Sequence, residues 1–324
     1  MISEQRGLEI VTDAFYQESD ALRERITPET RFAHYTSAET AMRIIRGDGS
    51  DGALWLRNAT EMNDFSEIEY GQSCLESVLG DDEIAERATQ AGLNVGVNIA
   101  DDVFLPMGQE RDRIKRETFL LSLSEHDASD TEGRLSMWRA YGGVANVCLL
   151  MKTAAFVTPQ DAYDVDIVAV DYDGIEGFKR RFLSIISNVE RNRGDLAQLD
   201  PGLIAINWKR VLDDLILSTK HPSFREESEW RIIHRRRQSE ISNVPSKVVS
   251  VGGIVQVVHF LPLQNIPKNG VNNATLEELL ERIIIGPTTN AALVREAFVR
   301  LLTDAKIAAA DDRVVASGVP LRRW

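Results

Sequence analysis

Thr118-Phe119-Leu120-Leu121-Ser122-Leu123-Ser124 reads as a β-strand with two unlike faces. Residues i and i+2 of a strand share a face, so Phe119, Leu121 and Leu123 form an apolar side while Ser122 and Ser124 lie together on the other. A half-exposed antiparallel strand alternates in the same way. Upstream, Leu8, Val11, Phe15, Leu22 and Ile26 recur near a 3.6-residue period and predict a helix over 4–26, ended by Thr27-Pro28. Phe32 to Thr36 is a short strand. Thr36-Ser37-Ala38-Glu39 has the form of a capping box opening a helix through Ile45. Ala53-Leu54-Trp55-Leu56 is a second strand, and the Met62-Asn63-Asp64 loop leads into another helix with Asp64 and Glu67 as its box.

Downstream of Ser124 come a polar loop, a short helix with Trp138 and Tyr141, apolar strands at Val144–Met151 and Ile167–Val170, and a helical region over about 174–220. The rest is mostly strand, at Glu229–His234, Lys247–Val251, Val255–Leu261, Arg282–Ile285 and Arg313–Val315, interrupted by an amphipathic helix over Ala291–Ala305. Strands and helices mix without regular alternation. That order predicts an α+β fold: an N-terminal helix (1–30), then a single domain (31–324) with a mixed, mainly antiparallel, split sheet. Helical insertions are expected at about 65–117 and 174–220.

The chain has 324 residues, 43% hydrophobic and 27% charged, an ordinary globular mix. Two cysteines cannot form a disulfide framework, and no signal peptide or long apolar run is visible, so a cytoplasmic protein without a membrane span is expected. The net charge of −13 argues against non-specific binding to nucleic acid or anionic lipid, though it leaves room for a local basic patch. The sequence has no phosphate loop, no G-x-G-x-x-G, no G-x-S-x-G and no H-E-x-x-H, and its five histidines are scattered. No metal is expected.

Two other strands show the same two-faced character. Phe32, His34 and Thr36 alternate with Ala33 and Tyr35; Glu227, Glu229 and Arg231 alternate with Trp230 and Ile232. Taken singly, His34 is an ordinary core or surface histidine, and Glu229 with Arg231 an ion pair worth at most about 1 kcal/mol if exposed. Together, a His on a first strand, Ser-x-Ser on a second and Glu-x-Glu on a later one resemble the ordered constellation of the ADP-ribosyltransferases. The residue types suit that chemistry. Breaking the nicotinamide–ribose bond of NAD leaves an oxocarbenium-like sugar, which a carboxylate bonded to the ribose 2′-hydroxyl stabilises. On a regular strand the two carboxylates would lie roughly 7 Å apart, one for the sugar and one for the acceptor.

A longer string of motifs resembles a bacterial family catalogued as domain of unknown function 2971. It comprises His34-Tyr35-Thr36-Ser37, Leu54-Trp55-Leu56, Met62-Asn63-Asp64 with Glu67, Phe119 to Ser124 and Met137-Trp138-Arg139-Ala140-Tyr141-Gly142. Lys220 with Phe224, Glu227-Ser228-Glu229-Trp230-Arg231, Ile284-Ile285-Gly286-Pro287 and Ser317 to Leu321 complete it, over about residues 31–322. The family's name assigns no activity. The resemblance makes His34, Asn63, Asp64, Trp138, Tyr141, Lys220, Glu229 and Arg231 expected site positions. Tyr35, Ser122 and Ser124 join them from the strand constellation.

These readings converge on an NAD-consuming ADP-ribosyltransferase or NAD glycohydrolase, with NAD as co-substrate and a nucleic acid or protein as acceptor; a toxin or phage-defence effector is the natural setting. Glu229 would stabilise the oxocarbenium ion, His34 would hold a ribose, and Ser122 and Ser124 would support the site. Trp138 or Tyr141 would flank nicotinamide, Lys220 or Arg231 would meet the pyrophosphate, and Glu227 would orient the acceptor. A non-catalytic nucleotide- or partner-binding module is the alternative. A metal-dependent nuclease using Asp64, Glu67 and Glu229 comes third.

Overall fold

The computed structural model describes residues 3–46, 52–61, 66–109, 111–141, 145–153, 156, 165–235, 244–251, 253–267 and 271–320. Asn63 and Asp64 lie outside the described residues, as do Arg236 and Arg237.

The chain divides into two compact units. One gathers residues 1–25, 64–116 and 168–225, so the expected N-terminal helix packs with the two expected helical insertions. Its aromatic centre is Trp208, with Phe15 and Phe182 edge-on at 5.4 and 6.4 Å. Gly71 lets the Ser66–Leu79 and Pro201–Leu217 helices meet closely; a Cβ there would sit 2.2 Å from the Ile216 carbonyl oxygen.

The other unit holds a ten-stranded sheet. Its strands are β1 Thr30–Ser37, β2 Ala53–Asn58, β3 Thr118–Asp127, β4 Asn146–Lys152 and β5 Val165–Ala169. The remainder are β6 Glu229–Arg235, β7 Ser246–Val251, β8 Ile254–Pro262, β9 Leu280–Ile285 and β10 Val314–Ala316. The spatial order is β10-β9-β4-β1-β3-β2-β8-β7, with β6 also beside β3 and β5 beside β6. β9 and β10 run parallel, whereas β1–β3, β1–β4, β2–β3, β2–β8, β3–β6, β4–β9 and β7–β8 are antiparallel. The sheet is mixed and mainly antiparallel, as the sequence implies.

β3 explains how ten strands form one branched sheet. One of its edges is taken by β6 from Thr118↔Arg235 to Ser124↔Glu229. The other edge is shared: β2 pairs at Phe119 and Leu120, and β1 pairs from Ser124 to Asp127. Leu121 to Leu123 on that edge fall between the two partners, so the sheet splits there.

Cross-strand neighbours share a face, so the registers sort the side chains. Ala33, Ser124 and Glu229 stand in line, as do Ser122 with Arg231 and Arg57 with Leu120. The same face continues through Tyr35 opposite Cys148 and Ala33 opposite Leu150. The Leu135–Ala140 helix covers it, burying Met137 and Trp138 against Ala33, Tyr35, Cys148, Leu150 and Ile284. Gly286 and Gly133 make room for the indole: a Cβ on either would lie 2.7 Å from a Trp138 ring atom. Gly133 also adopts φ +73°, where glycine is favoured.

Candidate functional site

Glu229 opens β6 on the face just described, and it is only 5% exposed. Arg231, two residues on and 2% exposed, grips it bidentately, Nε to Oε1 at 2.9 Å and Nη2 to Oε2 at 3.0 Å. Ser122, opposite Arg231 on β3, donates its hydroxyl to Oε1 at 2.5 Å. A carboxylate buried without such partners would carry a penalty of several kcal/mol; here a cation and a hydroxyl offset it. Alternation delivered these three groups to one point.

Ser124 is fully buried, and its hydroxyl donates to the Glu227 carbonyl. Arg134 reaches the same place. Its guanidinium donates to the Ser124 hydroxyl, to the Glu227 carbonyl at 2.9 Å and to the Glu125 carbonyl, while its backbone N–H donates to the Tyr35 hydroxyl at 2.9 Å. Arg134 therefore ties β3, the turn before β6 and β1 together. The sequence puts Arg134 on one helical face with Trp138 and Tyr141 but assigns it no role.

A cleft of about 220 Å³, including its open mouth, is lined by Tyr35, Ser122, Ser124, Tyr141, Glu227 and Glu229, with Ala33, Leu123 and Met137 as its apolar wall. Six of the twelve expected site residues thus meet around one space. Burial pushes the Tyr35 hydroxyl well above the usual tyrosine range, so it stays protonated, and it accepts the Arg134 N–H. Its ring meets Trp138 edge-on at 4.8 Å.

Several expectations are corrected. Glu227 is not on the strand: it ends a 3₁₀ turn over Pro222–Glu227, and Ser228 takes φ +44°, which breaks the alternation assumed for Glu-x-Glu. His34 belongs to the opposite face from Glu229, opposite Leu149; Tyr35 occupies the cleft instead. The His34 ring bridges the split in the sheet, with Nδ1 3.1 Å from the Ser122 carbonyl. Desolvation lowers its pKa to about 4, against the opposing pull of that hydrogen bond. His34 braces the split there, on the face away from the cleft. Trp138 is completely buried, with its Nε1 donating to the Glu132 carbonyl at 2.9 Å, so it is core; Tyr141 is the aromatic that reaches the cleft. Arg231 is committed to Glu229. Lys220 lies in the helical unit, where its buried Nζ meets Glu67 Oε1 at 2.7 Å and stands 4.9 Å from the Phe224 ring centre.

Residues 137–232 match the model of a family described as protein of unknown function (DUF2971). The match is confined to that segment, under a third of the chain, and is a likeness over those residues. The DUF2971 match is narrower than the motif string implied. It contains Trp138, Tyr141, Lys220, Glu227, Glu229 and Arg231, and leaves His34, Ser122 and Ser124 outside. No curated protein and no solved structure matches the chain. Among the described residues, no helix is long and apolar enough to cross a membrane.

Proposed function

We propose that this protein cleaves the nicotinamide–ribose bond of NAD, transferring ADP-ribose to a macromolecule or to water. The observation that carries the reading is Glu229. It is a buried carboxylate held by a serine on one side and a guanidinium on the other, at the lining of a cleft with two tyrosines. In the reaction the C1′–N bond breaks and its electron pair leaves with the nicotinamide nitrogen, whose positive charge disappears. The sugar acquires oxocarbenium character, and a ribose 2′-hydroxyl donating to Glu229 spreads that charge. An oxygen nucleophile then adds to C1′ and gives up its proton, for which Glu227 at the cleft lining is a candidate base. Tyr141 takes the stacking role expected of Trp138. The enclosed part of the cleft is only about 10 Å³, room for a single water, so a nucleoside would sit at its open mouth.

A second reading, a non-catalytic nucleotide-binding module, is favoured by the bidentate Arg231, which balances the charge that catalysis would use. The third candidate, a nuclease metal site, loses support because Glu67 and Glu229 are each matched to a cation of their own.

Nicotinamide release from NAD by the wild type and by Glu229→Gln, with cell lysate as acceptor source, tests the proposal. The expected result is release that falls at least a hundredfold in the variant, about 2.7 kcal/mol, while circular dichroism shows both folded. Absence of release from folded wild-type protein that still binds nucleotide would overturn the enzyme reading in favour of the binding module.

A further inference from the structure

Tyr35 brings to the cleft a hydrogen-bond donor that the fold does not spend. Ser122 gives its proton to Glu229, Ser124 gives its own to the Glu227 carbonyl, and Arg231 is committed to Glu229. Tyr35 is only 2% exposed and lines the cleft, two residues along β1 from the row that carries Ala33, Ser124 and Glu229. Its ring is fixed by the edge-on contact with Trp138 and by the core cluster that includes Met137, Cys148 and Ile284. The hydroxyl oxygen accepts the Arg134 backbone N–H at 2.9 Å. A phenolic hydroxyl donates as well as accepts, and this one is protonated, so its proton still needs a partner. Among the described residues it has no acceptor.

Buried donors normally find acceptors, and the enclosed part of the cleft is where a ligand can supply one. Its volume of about 10 Å³ admits one water-sized group. The cleft lining offers that group a donor, Tyr35, and an anionic acceptor, Glu229. A carbonyl or ether oxygen would accept from Tyr35 but give nothing to Glu229, and a carboxylate would be repelled by it. An ammonium would pair with Glu229 but accept nothing from Tyr35. A hydroxyl does both, and it has the right size. Accepting from Tyr35 also sets the rotation of such a hydroxyl, turning its own proton toward Glu229.

We propose that Tyr35 and Glu229 together form a hydroxyl subsite, in which a sugar hydroxyl of the ligand accepts from Tyr35 and donates to Glu229. Identifying that group as the 2′-hydroxyl of the nicotinamide ribose rests on the NAD reading; the hydroxyl subsite itself does not. The nucleoside lies at the open mouth, and only this hydroxyl enters the enclosed part. Tyr35 thereby touches the substrate and selects ribose over 2′-deoxyribose, while no covalent bond to it forms or breaks.

Calorimetric titration of the full chain with two nucleoside pairs tests the subsite. The first pair is the carbocyclic analogue of nicotinamide riboside, which cannot form an oxocarbenium ion and so stays intact, and its 2′-deoxy form. The second is adenosine and 2′-deoxyadenosine. Wild type should bind the carbocyclic riboside at least about tenfold more tightly than its deoxy form, the scale of a lost hydrogen bond to a charged group. Tyr35→Phe should weaken the riboside by about fivefold to tenfold. It should leave the deoxy form within about twofold, the non-additivity of two groups in contact. A tyrosine that only packs the core would shift both ligands alike, so equal shifts in folded Tyr35→Phe would overturn the subsite. Equal wild-type affinity for the riboside and its deoxy form would overturn it too, without any variant. Nicotinamide release from NAD alongside either result would leave the NAD reading standing. A Tyr35-dependent preference for adenosine over its deoxy form, with no binding of the riboside, would support the hydroxyl subsite and overturn the NAD reading. Wild-type protein that binds none of the four would overturn both.

Discussion

The two units each bury an acid–base pair, and the pairs differ in almost everything except charge. In the helical unit, Lys220 meets Glu67 through a single ammonium nitrogen, with side chains 6% and 13% exposed. In the sheet unit, Arg231 holds Glu229 with two parallel bonds, with side chains 3% and 5% exposed, and Ser122 adds a third. The ammonium is a compact charge that joins Glu67, near the start of one helix, to the segment after another. The guanidinium fork fixes both oxygens of a carboxylate that lines a cleft. Pairing in the first case is explained by packing alone; in the second, three donors converge on one acid beside a space.

The largest expected effect tests whether both pairs are structural. Lys220→Met and Arg231→Met should each cost about 3–5 kcal/mol of unfolding free energy, because each leaves a buried carboxylate uncompensated. Urea denaturation with an unchanged m-value would measure it. The double variants Glu67→Gln/Lys220→Met and Glu229→Gln/Arg231→Met should recover most of that loss. If the single variants cost under 1 kcal/mol, neither pair is the buried ion pair described.

Turnover then separates the pairs. Nicotinamide release should fall at least a hundredfold in Glu229→Gln/Arg231→Met although its stability is restored, and should stay within threefold of wild type in the Glu67→Gln/Lys220→Met protein. Equal effects of the two double variants would erase the distinction between them. Arg231→Lys is a finer probe. It keeps the charge but not the fork, so Glu229 should lose orientation and release should drop roughly tenfold, about 1.4 kcal/mol.

The smallest effect concerns His34. Its folded pKa, about 4, lies below the unfolded value of 6.5, so between those limits the unfolded chain binds more protons. Its contribution is therefore full above pH 6.5 and declines as pH falls toward 4. At pH 5.5 the loss should be about 1 kcal/mol, read as the difference between wild type and His34→Asn, whose amide can still donate to the Ser122 carbonyl. Identical pH profiles of the two proteins would remove His34 from the split in the sheet.

Much of the sheet was legible because alternation is local. Ser122, Ser124, Glu229 and Arg231 could be put on polar faces from spacing alone. Which faces coincide is not local: it depends on register, and Ala33↔Ser124 sets Tyr35, not His34, beside the acid. Glu227 was misplaced because one residue in a left-handed conformation, Ser228, cancels a period of two. Trp138 and Tyr141 look equivalent on a helix three residues apart. Only the glycines at 133 and 286, far apart in sequence, show which one the core encloses. Arg134 has no assigned role in the sequence because two of its anchors, Tyr35 and the Glu227 carbonyl, are distant along the chain.

The shared edge of β3 also fixes an order of assembly. Its neighbours come from residues 30–33 and 57–58 on one side and from 229–235 on the other. A ribosome releasing the chain from its N-terminus must therefore make more than a hundred further residues before β3 acquires its second partner. Until then an apolar strand with an open edge is exposed, the situation in which chains pair with each other. Pairings this distant in sequence also form slowly. Truncation before residue 229 should accordingly yield aggregates instead of a smaller folded protein, and slowing translation just after β6 should favour recovery of soluble chain.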